Sequence, residues 1–173
     1  MTISFRPLEF ANLPMLRDWI ARPHVAAWWG VPPSREELEE EYRPLILGEA
    51  PHRAYIALLD GAPLGFIQSY VAAECHADGW WLNEQDPGVL GIDQFLADGE
   101  RLGRGLGAAM VGAFVEMLFA DPSVTRVQTD PSPANARAIR CYEKAGFRAA
   151  GEVVTPDGPA LLMYRERRPP DRA

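Results

Sequence analysis

The stretch Leu102-Gly103-Arg104-Gly105-Leu106-Gly107 lies between a β-type run and a long apolar-periodic segment. Glycines there allow tight turns and close backbone approach. The helix that follows would aim its unpaired N–H groups and positive end at whatever fills the turn, and a diphosphate suits that best. A tight strand-to-helix connection with no ligand accounts for the glycines equally well. The turn is not a Walker A loop, because Gly-Lys-Ser/Thr is absent. A dinucleotide fingerprint also fits badly, since only one βαβ unit follows. Asp93 is a second chemical residue, a lone carboxylate in the apolar run Val89 to Phe95. It reads either as an exposed edge-strand acid or as an acid–base group. His24, His52 and His76 are too scattered for a metal site, and none is expected. Cys141 has no histidine partner in its motif and reads as a small core residue.

Regular elements must hold these residues in place. Ile3 to Leu8 alternates as a strand, and Asn12 can cap a helix to about Arg22 with Leu13, Leu16, Trp19 and Ile20 on one face. Ser34 and Glu37 form a capping box that opens an acidic helix from Arg35 to about Tyr42, limited by Pro44. Tyr55 to Leu59, Asp60-Gly61 and Leu64 to Val71 read as a hairpin, since Asp-Gly supplies the positive φ angles of a two-residue turn. Cys75 to Gly88 is loop-like. Val89 to Leu96 is a strand, and Leu106 to Leu118 is a long helix ending before Asp121-Pro122. Thr125 to Thr129 is a strand, and Ala134 to Ala145 is a helix stopped by Gly146. Phe147 to Val154 and Leu161 to Arg165 are strands around Pro156-Asp157-Gly158-Pro159. The pattern is a mixed α/β domain with a helix crossing between the fourth and fifth strands. One domain over residues 1–166 is expected, with a frayed tail over 167–173.

The chain has 173 residues, 47% apolar and 24% charged, which is ordinary globular composition. No apolar run approaches the ~20 residues of a membrane span. No signal peptide is evident, and the two cysteines make no disulfide framework, so a reducing cytoplasm is the expected compartment. Twenty-four acids oppose 17 bases, for a net charge of -7. That argues against a general nucleic-acid binder and leaves room for a cationic ligand. The oligomeric state, monomer or homodimer, is left open.

Downstream of the glycine turn comes Asn135-Ala136-Arg137-Ala138-Ile139-Arg140-Cys141-Tyr142-Glu143-Lys144-Ala145-Gly146-Phe147. A glycine turn opening a helix, followed by N-x-x-A-x-x-x-Y-E-K-x-G-F, resembles the GNAT superfamily of acetyl-CoA-dependent N-acetyltransferases. The usual Gln or Arg three residues before the central glycine is Leu102 here. Further segments occur in order: Trp28-Trp29-Gly30, Gln68-Ser69-Tyr70, Asp78-Gly79-Trp80-Trp81, Asp86-Pro87-Gly88, Gly91-Ile92-Asp93-Gln94, Gln128-Thr129-Asp130-Pro131-Ser132-Pro133 and Thr155-Pro156-Asp157-Gly158-Pro159. The set is similar to the aminoglycoside 6'-N-acetyltransferases and covers Trp28 to Met163.

The resemblance implies a central mixed sheet of about six to seven strands flanked by about four helices. It implies acetyl-CoA as donor, with its pyrophosphate on the main chain of Leu102, Gly103, Arg104, Gly105, Leu106 and Gly107 and with Asn135 at the cofactor. Asp93 would stand beside the amine as base, and burial would raise its pKa toward the useful range. Backbone N–H groups near Gln94, Phe95 and Leu96 would polarise the thioester carbonyl. Tyr142 would be the acid for the leaving thiolate, against the plain reading of a helix tyrosine packed on the core. A polycationic aminoglycoside would meet carboxylates at Asp78, Asp130 and Asp157, and aromatic faces among Trp28, Trp29, Trp80 and Trp81. Tyr42, Gln68 and Tyr70 are further acceptor-side candidates. Ordinary turn and core roles compete at each position, and at least one tryptophan of each pair is expected to be core. Two competing functions are acetylation of another amine, such as a siderophore hydroxylysine or a polyamine, and a non-catalytic domain binding acyl-CoA or a cationic ligand.

Overall fold

The computed structural model describes residues 1–167. Seven strands form one mixed sheet in the order β1-β2-β3-β4-β5-β7-β6. They are β1 (Ile3–Pro7), β2 (Arg53–Leu59), β3 (Ala62–Val71), β4 (Val89–Leu96), β5 (Arg126–Thr129), β6 (Arg148–Thr155) and β7 (Gly158–Glu166). Among the described residues there are five α-helices: α1 (Leu13–Ile20), α2 (Pro23–Trp29), α3 (Arg35–Leu47), α4 (Leu106–Phe119) and α5 (Ala136–Lys144). The crossover through α4 makes β4 and β5 parallel, as expected. The chain gathers into two compact units. The first comprises Met1–Ser69 and Asp93–Met110, and the second Tyr70–Ile92 with Val111 onward.

The first unit is built on an aromatic and aliphatic core. Leu16, Trp19, Val25, Leu38, Tyr42, Ile56, Phe66 and Phe95 are all buried in one cluster. The β2–β3 hairpin turns at Asp60 (φ +49°) and Gly61 (φ +83°), the geometry anticipated from Asp-Gly.

Three expectations are corrected in this unit. The helix opened near Asn12 stops at Ile20. Pro23 holds the residue before it in extended backbone (Arg22, ψ 137°) and then starts α2 at its own first turn, which makes a fifth helix where four were expected. Asn12 does not cap α1, because its Oδ1 accepts from the Glu9 N–H at 3.0 Å. Helix α3 runs through Pro44 to Leu47. A proline inside a helix costs ~3 kcal/mol. Leu45 and Ile46 pack on the core in that last turn, and Gly48 closes it in left-handed backbone with the Glu49 N–H on the Pro44 carbonyl at 2.8 Å. The capping box stands: Ser34 Oγ accepts from Glu37 N–H and Glu37 Oε2 accepts from Ser34 N–H.

In the second unit Phe114, Val115, Val127, Phe147 and Met163 are buried. Strand β7 pairs antiparallel with β5 and β6. Of the expected tail, residues 168–173 lie outside the described ones. Arg167 itself is engaged, with its guanidinium donating to the Val124 carbonyl and lying 5.2 Å from the Phe119 ring.

Candidate active site

In the first unit a chain of polar groups runs from the core to Asp93. Strand β4 places Asp93 half-buried in an otherwise apolar run. Gln68, on β3, donates from Nε2 to Asp93 Oδ2 at 3.0 Å. Its other end, Oε1, accepts from the Tyr42 hydroxyl at 3.4 Å. An amide donating to a carboxylate fixes both its orientation and its rotamer. Tyr42 is 2% exposed and sits edge-on to Phe66, at 5.7 Å between ring centroids. Burial first, and then the charges of Glu41 and Asp93, push its hydroxyl well above the ordinary tyrosine range. The structure thus places Tyr42 in the core, not as an open ring face for a sugar. Trp29 is half-buried and packs against that core, edge-on to Phe95 at 4.9 Å, whereas Trp28 is 51% exposed. The pair thus divides into a core-packed and an open ring, although neither is fully buried.

The end of β4 is tightly held. The Cβ that Gly65 lacks would lie 2.3 Å from the Phe95 carbonyl oxygen, so β3 can approach only as glycine. His24 Nε2 lies 2.9 Å from the Leu96 carbonyl. Because a carbonyl only accepts, Nε2 carries the proton. Arg22 donates to the Ala97 carbonyl at 2.7 Å. Sequence reasoning missed both Arg22 and His24 as supports of Gln94, Phe95 and Leu96. Nothing in their spacing signals them, since the contacts span more than 70 residues. The parallel register of β4 with β5 covers only Val89–Gly91 against Arg126–Gln128, so β4 runs on through Asp93 to Leu96 beyond it.

The glycine turn has the backbone its composition requires. Gly103 (φ +75°) and Gly105 (φ +81°) are exposed and left-handed, with open space where a Cβ would stand. The first α-helical bond of α4 runs from Ala109 N–H to the Gly105 carbonyl. The amides of Leu106, Gly107 and Ala108 therefore precede the helical ladder, at the positive end of a 14-residue helix. An open cradle with such donors fits a diphosphate-bearing coenzyme. Helix α5 begins differently, because Asn135 Oδ1 accepts from the Ala138 N–H at 3.1 Å. Asn135 Oδ1 is engaged in capping, and this leaves its amide nitrogen to serve a cofactor.

The second unit carries the remaining candidates. Tyr70 lies so close to Gly91 that a Cβ there would be 2.0 Å from the ring, so Gly91 is fixed by the tyrosine. Asp78 and Asp157 are exposed, and Asp130 is half-buried at the end of β5. The turns bearing Asp78 and Asp157 adjoin, since the Cβ position of Gly79 is 3.6 Å from Pro156 Cγ. Trp80 and Trp81 tilt against one another at 5.8 Å, and neither is fully buried. The expected core member of this pair is absent, because the loop packs the rings on each other. Trp81 has φ +52°, and its Nε1 is buried with no hydrogen-bond partner. Tyr142 is 4% exposed and packs edge-on to Phe147 at 5.4 Å, so its ring is core whatever its hydroxyl does. Cys141 is half-buried and not a core residue as expected, since it lies on a helix face that is only partly covered; burial still pushes its thiol up to about 11, in keeping with low reactivity. Gln128, not anticipated as a support, is fully buried with Nε2 unpartnered.

Comparison with known proteins fits this geometry. The acetyltransferase (GNAT) domain family matches residues 10–155. The chain is 50% identical over 169 residues to aminoglycoside N(6')-acetyltransferase type 1 of Klebsiella pneumoniae, across 96% of this chain and 84% of that one. It is 64% identical over 88 residues to a kanamycin resistance protein of Rhizobium radiobacter, across 51% and 82%. A crystal structure of aminoglycoside acetyltransferase AAC(6')-Ib with coenzyme A and kanamycin matches at 51% identity with a TM-score of 0.90, over 96% of this chain and 95% of that one. The chain belongs to the GNAT acetyltransferases and, within them, to the family of the aminoglycoside N(6')-acetyltransferases.

Proposed function

We propose that this enzyme transfers acetyl from acetyl-CoA to the 6'-amine of aminoglycosides, directly and without an acetyl-enzyme, and so confers resistance to them. The observation that carries the reading is Asp93, a carboxylate on a rigid strand oriented by Gln68, in a chain whose relatives bear that activity in their names. Acetyl-CoA, held at Leu102 to Gly107 with the Asn135 amide beside it, supplies an activated acyl group. Asp93 takes a proton from the acceptor's 6'-ammonium, directly or through water, and the neutral amine so formed attacks the thioester carbonyl. The amides near Gln94, Phe95 and Leu96 stabilise charge on the acyl oxygen. Tyr142 delivers a proton to the departing sulfur. Asp78, Asp130 and Asp157 hold the acceptor's other ammonium groups, and Trp28, Trp80, Trp81 and Tyr70 cover its sugar faces. Gln68 and Tyr42 act through Asp93. Three carboxylates favour a polycation over a mono-amine such as a siderophore precursor, and Asp93 with Tyr142 favours catalysis over mere binding. No helix among the described residues is long and apolar enough to cross a membrane, and the reading places the enzyme in the cytoplasm, where acetyl-CoA is available.

Thiol release from acetyl-CoA in the presence of kanamycin, with the acetyl position located by NMR, tests the function. Acetylation at the 6'-nitrogen is the expected outcome. Release with a polyamine or hydroxylysine but with no aminoglycoside would overturn the reading.

A further inference from the structure

The loop carrying Asp78, Trp80 and Trp81 runs from Cys75 to Gly88 between β3 and β4, with one short 3-10 turn at His76–Asp78 and no strand. Most of its hydrogen bonds are local, and Glu84 is the node among them. The Glu84 N–H donates to the Trp81 carbonyl at 2.8 Å. The Glu84 carbonyl accepts from His76 Nε2 at 2.9 Å, two residues before Asp78. The Glu84 carboxylate accepts from the Asp86 N–H at 3.0 Å and pairs with the Arg126 guanidinium at 2.5 Å. Side-chain exposure is 19% for Glu84 and 25% for Arg126, so this pair is shielded far better than an ordinary surface ion pair. Arg126 is aimed by the sheet, with its guanidinium lying 4.0 Å from the centroid of the Tyr164 ring on β7. A second tie lies beside it: Thr125 Oγ1 donates to Asp86 Oδ2 at 2.7 Å and, with the Gly88 amide, holds that carboxyl below the usual range. The loop is strained at the other end of the same linkage. Trp81 is an aromatic residue in left-handed backbone with a buried, unpartnered indole N–H, a conformation that persists only where its surroundings impose it.

We propose that the Glu84–Arg126 ion pair, with Arg126 stacked on Tyr164, is a latch that holds the 75–88 loop in its acceptor-binding conformation, making Glu84 and Arg126 positioning residues for acceptor specificity. Through its carboxylate, N–H and carbonyl, Glu84 connects the sheet, Trp81 and the turn bearing Asp78. The inference rests on the proposed acceptor role of Asp78, Trp80 and Trp81. Neither latch residue need touch a substrate.

The test uses the full chain with Glu84→Gln, which keeps shape and loses charge, with Arg126→Lys, which keeps charge and loses the planar fork, and with the exchange Glu84→Arg/Arg126→Glu. The single variants should raise the kanamycin KM roughly tenfold, the scale of losing a hydrogen bond to a charged group, with kcat and the acetyl-CoA KM within about twofold. The exchange should recover at least half of that loss. A structural lesion would instead lower kcat and both affinities together, in step with Tm. Amide hydrogen exchange of residues 75–88, read by mass spectrometry, separates the two possible failures. If exchange is unchanged in Glu84→Gln, there is no latch. If exchange quickens several-fold while the KM of every aminoglycoside stays at wild type, the loop is latched but does not serve the acceptor, which overturns the specificity claim together with the acceptor role of the loop.

Discussion

Asp93 and Asp157 are both aspartates proposed to meet an amine, and the fold holds them in opposite ways. Asp93 stands on a central strand, half-buried, with its carboxylate pinned by Gln68 and through it by a buried tyrosine. Asp157 stands on the exposed β6–β7 turn, held by its backbone, with its N–H on Thr155 Oγ1 at 3.2 Å and that hydroxyl in turn on the Gly158 carbonyl at 2.8 Å. A proton acceptor must keep one distance and one orientation, which a strand and a packed aromatic floor supply. A group that meets one of many ammonium positions on a polycation tolerates an exposed turn as its mount. Within the proposed function, the base sits on a central strand and the carboxylates that recognise the acceptor sit on turns and at a strand end.

The largest expected effect tests the rigid side. Asp93→Asn keeps shape but cannot accept a proton, and should lower kcat by about 10²- to 10⁴-fold. Pre-steady-state and steady-state rates across pH 6–9 should show partial rescue as the amine becomes neutral. Near-normal kcat at pH 7 would reduce Asp93 to a positioning role and erase the contrast with Asp157.

Next come two variants of similar size with opposite signatures. Gln68→Leu removes a hydrogen bond to a charged group, so kcat should fall by roughly 1.5–3 kcal/mol, on the order of ten- to a hundredfold, with the drug KM little changed. Asp130→Asn or Asp157→Asn should place a loss of about the same size in the aminoglycoside KM and leave kcat and acetyl-CoA affinity alone. If Gln68→Leu instead moves only the drug KM, Gln68 is an acceptor contact and the distinction between strand and turn is drawn in the wrong place.

Smaller again is the turn. Gly105→Ala forces a side chain into φ +81° without any steric neighbour, so only the backbone conformation is challenged. Calorimetry should show acetyl-CoA affinity falling by about 1 kcal/mol, the scale of left-handed strain for a non-glycine residue, with aminoglycoside affinity unmoved. Equal losses for both ligands would make the turn purely structural.

The smallest effect concerns Tyr42. Its bond to Gln68 is long, at 3.4 Å, and neutral, so Tyr42→Phe should cost kcat less than tenfold, roughly 0.5–1.5 kcal/mol. Its raised pKa also makes a stability statement. The folded state keeps this proton while the unfolded chain releases it near pH ~10, so the stabilisation is present below that pH and is lost as pH rises toward the raised value. Thermal melts from pH 8 to 11 should show wild type losing Tm faster than Tyr42→Phe. Parallel curves would mean that the hydroxyl is not buried as described.

Much of this was readable beforehand because it is local. Asp60-Gly61, the Ser34–Glu37 box, the α4 periodicity and the glycine turn each depend on residues within a few positions, and the structure has them where expected. The misses share a different cause. Pro44 breaks a helix by local rule, yet packing of Leu45 and Ile46 carries α3 past it. Asn12 has the right type for a cap but gives its oxygen to Glu9. Tyr42, named as a sugar-facing candidate, is core because Phe66, distant in sequence, covers it.

The same division runs through the site. Sequence alone determined which residues can do chemistry, because a carboxylate in an apolar strand and glycines before a helix are statements about residue type and near neighbours. Only tertiary structure decided what holds them. Gln68 reaches Asp93 across 25 residues, Arg126 reaches Glu84 across 42 and His24 reaches Leu96 across 72. Such pairings leave no periodic or spacing signal, because each depends on strand order and on side-chain direction, which the sheet sets only when every strand is in place.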